Sequence, residues 1–260
     1  MTTFIQPMLA ANAAVYAIEN ATTEGKITVL VLLILSLFSW TIILTKFRQL
    51  LIARNAAKKF FDAYASTRDP LDIKKRGELF DGAPAYALYE RGAEELAYQL
   101  EKNPVTVKGE RRISTSSFEA VKVVLEEAAA AQAMSLEKGM IVLSTAVAGG
   151  PFIGLLGTVW GVMSTFAGIA ESKAATLTAM APGVAAALVA TVTGLLVAIP
   201  AMFAYNFMVT TIRSITQELD GYAARFATQI EHAYVDNRDL EDKIATALTR
   251  TELKENTPAI

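Results

Sequence analysis

Two long stretches without a charged side chain are the feature that most restricts how this chain can fold. Met140 to Ala170 is a run of 31 residues with no Asp, Glu, Lys or Arg, and Ala174 to Ile212 is a run of 39. A third run, of 19 residues, extends from Ile27 to Thr45. Because about 20 helical residues cross a hydrocarbon layer of roughly 30 Å, each run is long enough to span a membrane. The sequence therefore predicts an all-α polytopic membrane protein with three transmembrane helices.

The positive charges predict the orientation of these helices. The segment from Lys46 to Lys138, between the first and second spans, carries 16 of the 24 Lys and Arg residues, and six more follow Ile212. Because Lys and Arg concentrate on the cytoplasmic side of a membrane, the N-terminus is expected outside, and the long loop and the C-terminus inside. The predicted organisation begins with an outer N-terminal segment at 1–25, a first transmembrane helix at 26–45 and a cytoplasmic helical region at 46–138. The second and third transmembrane helices follow at 139–206, with an outer turn at about 171–176. The chain ends in a cytoplasmic helix and tail at 207–260.

The composition excludes several classes of function. The chain has no cysteine and a single histidine, His232, so it offers no disulfide, no thiolate metal site and no cluster of metal ligands. A net charge of −2 argues against the basic face that nucleic acid binding needs. The glycines at 150, 154 and 157 lie in an uncharged run and lack the lysine of a phosphate-binding loop. We expect no enzyme activity, no cofactor, no metal and no nucleic acid partner.

The segments outside the membrane are predicted to be helical and to extend the spans into the cytoplasm. Turn-forming residues on both sides favour a helix from about Ala85 to Lys102. From Arg111 onward, apolar residues recur at helical spacing and run directly into the second span, and Ile212 to Ile230 continues the third span with one apolar face. No strand pattern is found. Short helical pieces are also expected near the two ends, at Ile5, Met8, Leu9, Asn12, Val15 and Tyr16, and at Leu240, Ile244 and Leu248.

Small residues line one face of each of the last two spans. Lipid gives helices no hydrophobic reason to associate, so membrane helices pack through small residues that let their backbones approach closely. Two such stripes exceed what one contact within a subunit needs, which predicts that they also face neighbouring subunits and a pore. The stripes consist of Gly150, Gly154, Gly157, Gly161, Ser164 and Gly168 in the second span, and of Gly183, Ala187, Ala190, Gly194 and Ala198 in the third.

Hydroxyl side chains and prolines are the other notable residues of these spans. A single threonine in a membrane helix usually bonds the carbonyl four residues before it and means little. Counted from the outer turn, however, Thr158 and Thr191 lie at the same depth within about 5 Å, so they can form one polar layer. Pro182 is tolerated near the start of a helix, whereas Pro200 is expected to kink the third span.

The motifs of the last two spans match those of a known family. The second span reads Pro151-Phe-Ile-Gly-Leu-Leu-Gly-Thr-Val-Trp-Gly-Val-Met, and the third contains Ala181-Pro-Gly, Thr191-Val-Thr-Gly and Pro200-Ala, followed by Tyr205-Asn206. Over about Met140 to Asn206 the chain closely resembles the MotA/TolQ/ExbB proton-channel family. Three spans and a large loop between the first two resemble its ExbB/TolQ branch, because the MotA branch has four spans.

The resemblance implies an ion-channel subunit of the bacterial cytoplasmic (inner) membrane, with a periplasmic N-terminus. It implies a homopentameric ring around the transmembrane helices of an ExbD/TolR-like partner dimer, whose aspartate carries the ion. It also implies that ion flow drives transport or an envelope process, with a TonB/TolA-like protein as a further partner and lipid around the ring. The two functional threonines of the family fall on Thr158 and Thr191.

One residue departs from the family pattern. ExbB and TolQ proteins usually carry a glutamate in the third span, and the aligned residue here is Ala186. This departure puts in doubt any proton-passing acid on the channel subunit itself. Two alternatives to a motor of the ExbB/TolQ type therefore stay open: the stator of a motility or gliding motor, with sodium as a candidate coupling ion, and a non-conducting membrane scaffold. The second alternative is favoured by the absence of charged residues from the two long runs.

Overall fold

The computed structural model describes residues 21–107, 109–172 and 177–236. Helices account for 86% of the structure, so the prediction of a mostly helical protein is confirmed. The expected pieces at 5–16 and 240–248, and the middle of the expected outer turn, lie outside the described residues. The helices are α1 (Thr23–Ala65), α2 (Asp72–Arg76), α3 (Pro84–Lys102), α4 (Thr115–Glu137), α5 (Met140–Ser172) and α6 (Leu177–Tyr234).

Three of these helices, α1, α5 and α6, are long and apolar enough to cross a membrane. Their large apolar side chains point outward rather than into a core: Leu37 is 70% exposed, Phe152 72% and Phe203 68%. A contiguous exposed apolar surface of this kind is unfavourable in water and suits lipid. The chain therefore has three candidate membrane-spanning helices, as the sequence predicts.

The described chain divides into two compact units. Unit 1 consists of residues up to Leu51 together with Ser135–Ser214, and it contains most of the apolar length of the three long helices. Unit 2 consists of Ile52–Met134 together with the described residues from Ile215 onward. Helices α1, α4 and α6 contribute to both units.

The expectation of an all-helical chain without strands is wrong at one place in unit 2. Pro104–Val107 (β1) and Glu110–Ile113 (β2) form an antiparallel hairpin, with Pro104 opposite Ile113 and Val107 opposite Glu110. Gly109 in the turn has a φ of 87°, which glycine adopts without steric cost. Four-residue strands are too short to show a clear alternation in the sequence, which is why the hairpin was not predicted.

The hairpin changes where the next helix begins. The sequence predicts a helix from Arg111, but β2 occupies that position and α4 begins at Thr115. The Ser114 hydroxyl accepts a hydrogen bond of 3.1 Å from the Ser117 backbone N–H, which caps the new start. On the other edge of β2, Ile113 forms a parallel bridge with Val235, and the Asp236 N–H donates to the Ile113 carbonyl at 3.0 Å.

Helices α4 and α5 are also separate, whereas the sequence predicts one continuous helix. The break lies at Gly139, which has a φ of 87°. Lys46 of α1 is 7% exposed, and its ammonium donates to the carbonyls of Ser135 at 3.3 Å and Leu136 at 3.0 Å, and to Gln49 Oε1 at 2.8 Å. The last carbonyls of a helix have no partner within it, so a lysine from another helix satisfies them here. This contact fixes the end of α4 within unit 1.

Aromatic rings form the core of unit 2. Phe60 is fully buried, and its ring centroid lies 5.8 Å from that of Tyr89 on α3 and 5.5 Å from that of Tyr222 on α6. The Tyr89 hydroxyl accepts a hydrogen bond of 2.9 Å from the Lys74 N–H, which holds α2 on this core; burial raises the pKa of Tyr89 to about 12. The cluster comprises Phe60, Phe61, Tyr64, Phe80, Tyr86, Tyr89, Tyr222 and Phe226.

Candidate functional site in the α5–α6 contact

Glycines bring the backbones of α5 and α6 into direct contact within unit 1. A Cβ atom added to Gly154 would lie 2.9 Å from the Ala190 carbonyl oxygen and 3.1 Å from Thr191 Cα. Seen from α6, a Cβ on Gly194 would lie 2.5 Å from the Gly150 carbonyl oxygen. Because real Cβ atoms do not approach backbone this closely, only glycine fits at these positions.

The contact continues toward the ends of both helices. A Cβ on Gly161 would lie 2.7 Å from Ala187 Cβ, and a Cβ on Gly183 would overlap Thr165 Oγ1. At Gly157 a third helix joins, since a Cβ there would lie 2.7 Å from Ala190 Cβ and 2.8 Å from Thr28 Cγ2 on α1. Thr28 is buried, and its hydroxyl bonds the Glu24 carbonyl of its own helix at 2.9 Å. The sequence analysis missed Thr28 because a lone threonine in a span carries no pattern.

The stripes are used differently from the expectation. Gly150, Gly154, Gly157 and Gly161 all meet α6 of the same chain, so this part of the stripes is used within one subunit. Gly168 is not brought into this contact, since a Cβ there would have nothing within 4 Å among the described residues. Ala187 is buried, whereas Ala186 is half-buried. Pore lining stays a prediction for all of them.

The structure brings Thr158 and Thr191 together. Their hydroxyls form a hydrogen bond with each other across the helix contact. Both also lie 3.2 Å from one acceptor, the Gly154 carbonyl oxygen, and Thr158 Oγ1 lies 3.3 Å from the Ala187 carbonyl oxygen. The absence of a side chain at Gly154 is what allows the Thr191 hydroxyl to reach a carbonyl on the other helix. Two further threonines of these spans, Thr165 and Thr193, bond carbonyls of their own helices at 2.8 Å.

The hydroxyl protons of Thr158 and Thr191 can be arranged in two orders, which differ in which hydroxyl donates to the other. Each hydroxyl donates one proton and accepts through its lone pairs. In one order Thr158 donates to Thr191, which donates to Gly154; in the other Thr191 donates to Thr158, which donates to Gly154 or Ala187. Every proton is bonded in both orders, so the pair can reverse its direction without leaving a donor unsatisfied. Such a pair can donate to an anion or accept from an acid.

The surroundings of the pair are apolar and uncharged. The runs Met140–Ala170 and Ala174–Ile212 contain no Asp, Glu, Lys or Arg, so the pair lies between two helices that carry no charged side chain in these runs. Among the described residues, no group of three His, Cys, Asp or Glu side chains is arranged to hold a metal ion. Pro182 and Pro200 both lie inside the continuous helix α6, and a kink at Pro200 stays a prediction.

Comparisons with known proteins agree with this architecture. The model of the MotA/TolQ/ExbB proton channel family matches residues 93–221. The chain is 30% identical to the Tol-Pal system protein TolQ of Haemophilus influenzae over 80% of this chain and 90% of that protein. It is 30% identical to the biopolymer transport protein ExbB of Salmonella typhimurium, over 80% of this chain and 82% of that protein. It is 32% identical to the biopolymer transport protein ExbB of Pseudomonas putida over 80% of this chain. That match covers 60% of the length of the Pseudomonas putida protein.

Three apolar helices, a glycine-mediated contact between two of them and these similarities define the class of protein. The chain belongs to the MotA/TolQ/ExbB proton channel family, in its ExbB/TolQ branch. It is an inner-membrane protein of a family that works in energy-coupled envelope or transport systems.

Proposed function

We propose that this chain is the ion-channel and stator subunit of an ExbBD/TolQR-like motor that uses the proton or ion motive force to drive transport or another envelope process. The observation that carries the proposal is the hydrogen-bonded pair Thr158 and Thr191 in an otherwise uncharged contact between two membrane helices. As the family resemblance suggests, the subunit forms a homopentamer around an ExbD/TolR-like partner dimer. A TonB/TolA-like protein is the recipient of the mechanical work.

In this mechanism the chain itself carries no ion. An isolated charge near the bilayer centre costs roughly 2.5–3.5 kcal/mol on insertion scales, so the carboxyl group of the partner needs polar contacts in both of its protonation states. The threonine pair meets this need because it can donate to the carboxylate and accept from the acid. Ala186, at the position of the usual family glutamate, leaves the partner as the source of the titrating acid.

The orientation that we propose follows the positive charges. The N-terminal segment lies in the periplasm, and residues 46–138 and 207–260 lie in the cytoplasm. Unit 2 is then the cytoplasmic part of the subunit. Labelling of single introduced cysteines with a membrane-impermeant reagent tests this orientation directly, because the natural chain contains no cysteine.

The decisive experiment is ion flux through the reconstituted complex. The chain is co-purified with its single-span partner, placed in liposomes containing a pH-sensitive dye, and subjected to a pH gradient or, in parallel, to a sodium gradient. We expect flux with the partner and none with this chain alone. Absence of flux of either ion from an assembled complex would favour the second candidate, a non-conducting scaffold, which is motivated by the lack of any charged residue in the two long runs.

A motility or gliding stator would show the same flux, so the flux assay does not separate it from a transport motor. Identification of the outer domain of the co-purified partner separates them. We expect a domain of the ExbD/TolR type, given the similarity to ExbB and TolQ.

A further inference from the structure

A groove with an alanine floor and an acidic rim runs between α4 and α6 in unit 2. Its volume is 580 Å³, and the residues that matter here are Phe118, Glu119, Glu126, Ala129, Asp220 and Ala227. Lys122 is the single basic residue on its lining, and it forms an ion pair of 2.8 Å with Glu119. Among the described residues, Glu126 and Asp220 form no ion pair within 4 Å, so the rim retains negative charge.

A basic ridge lies on α1 of the same unit. It consists of the exposed residues Arg54, Lys58 and Lys59, which lie at positions i, i+4 and i+5 of the helix. None of the three forms an ion pair within 4 Å with another described residue. The ridge and the groove thus carry opposite and uncompensated charges.

The ridge and the groove are formed by different helices of unit 2. Helix α1 packs on α3 and α6 through Phe60, which contacts Tyr89 and Tyr222. Helix α4 also packs on α3, where Leu125 lies against Gly92, and it forms the groove with α6. The ridge residues are exposed and none of them lines the groove, so the ridge of a chain does not fill the groove of the same chain.

We propose that the groove between α4 and α6 receives the basic ridge of α1 from a second copy of this chain. The long aliphatic stems of lysine can lie along the alanine floor while their ammonium groups reach the acidic rim. The two patches differ, so the contact is head-to-tail, and repetition of such a contact closes a ring when the rotation permits. The proposal rests on the ring of subunits in the proposed function and assigns the surfaces that unit 2 contributes to it.

Cysteine cross-linking in the full chain tests the contact. Lys58→Cys and Glu126→Cys are introduced on separate, differently tagged copies that are co-expressed in membranes with the partner. We expect a disulfide-linked dimer only when both variants are present. With Glu101→Cys, an exposed residue at the end of α3, in place of Glu126→Cys, we expect no dimer. A dimer from Glu126→Cys alone would mean that two α4 helices meet, which would overturn the proposal.

Reversal of the charges at Lys58 and Glu126 tests whether charge attraction holds the contact. Lys58→Glu or Glu126→Lys alone should lower the cross-linking yield at neighbouring positions about threefold at low ionic strength, an effect that 0.5 M salt should reduce. The two reversals combined should restore the yield, which a merely structural defect would not do. Failure of this rescue overturns the proposal.

Native mass spectrometry of the complex separates this inference from the proposed function. If the copies form a ring but the Lys58→Cys and Glu126→Cys variants do not cross-link, the proposed contact is overturned and the proposed function is not. Monomers in the presence of the partner overturn both the ring and the contact. Cross-linking of Glu126→Cys to a different protein, with none to Lys58→Cys, would show that a basic segment of a partner occupies the groove, and this result also overturns the proposal.

Discussion

Thr158 on α5 and Thr191 on α6 share one hydrogen-bond acceptor, the Gly154 carbonyl oxygen, which lies 3.2 Å from both hydroxyls. The hydroxyls also bond each other, so two consecutive helices are joined by a polar contact between residues 33 positions apart in the chain. Membrane helices do not need hydroxyl pairs to associate, because small residues suffice. The pair is therefore the feature that we connect to ion transfer.

Removal of either hydroxyl should reduce ion flux without preventing assembly. Valine at position 158 or 191 keeps the shape of threonine and deletes its polar group. Loss of one hydrogen bond of about 1.4 kcal/mol at the barrier corresponds to about a tenfold lower flux. Serine at either position is the control and should retain most of the flux. Full flux in both valine variants of the reconstituted complex would contradict the role of the pair.

A carboxylate placed at position 186 should change how flux responds to pH. Ala186 is half-buried on α6, and glutamate is the residue that the family usually carries there. We expect Ala186→Glu to alter the pH dependence or the ion preference of flux, whereas Ala186→Gly should be nearly silent. Ala186→Gln has the size of glutamate without its charge and should leave the pH dependence of the natural protein unchanged. An identical pH profile for the Glu and Gln variants would show that the added acid does not meet the ion.

Leucine at Gly157 should disrupt packing within the subunit. A side chain there meets Ala190 and Thr28 at less than 3 Å from its first carbon, and overpacking of this kind costs about 1–3 kcal/mol or more. The thermal stability of the detergent-solubilised protein, followed by size-exclusion chromatography after heating, should fall. Gly149→Leu is the matched control, because a Cβ at Gly149 has nothing within 4 Å among the described residues. Equal losses in both variants would refute the assigned contact.

Replacement of Lys46 by methionine should destabilise unit 1. The ammonium of Lys46 satisfies the Ser135 and Leu136 carbonyls at the end of α4, and unsatisfied buried acceptors cost about 1–3 kcal/mol. Arg48→Met removes the same charge from an exposed site on the same helix, and its effect should stay within about 0.5 kcal/mol. Thermal unfolding in detergent measures both variants. A Lys46→Met protein as stable as the Arg48→Met protein would contradict the capping role.

Asp69 should make unit 2 sensitive to acid. Although burial acts to raise the pKa of Asp69, hydrogen bonds from the Leu71 N–H, Lys75 and Tyr234 outweigh burial and hold this pKa below its ordinary value. A lowered pKa contributes stability above the unfolded value of about 3.9, and this stability is lost as the pH falls through the folded pKa. The natural protein should therefore melt at a higher temperature than Asp69→Asn at pH 7, with the difference shrinking below about pH 4. A constant difference from pH 7 to pH 3 would exclude this linkage.

The residues of the pair could be named from the sequence, but their contact could not. Equal depth along two helices limits the positions of Thr158 and Thr191 along the membrane normal, and it leaves their rotation about each helix axis open. Rotation is decided by which small residues face each other, and here Gly154 faces Ala190 and Thr191. The same lack of rotational information explains why both glycine stripes were expected to serve more than one contact.

By itself, the sequence determined the three apolar helices and the helical character of the chain, because long uncharged runs have one stable arrangement in lipid, in which each helix satisfies its own backbone. It also carried the family motifs of the last two spans. Only the tertiary structure decided the hairpin at 104–113, the break at Gly139 capped by Lys46, and the shared acceptor at Gly154. The cap by Lys46 and the shared acceptor depend on partners far apart in the chain, and local patterns of hydrophobicity and spacing contain no information about such partners. The hairpin joins residues that are close in the chain, but its strands are too short to show a pattern of their own.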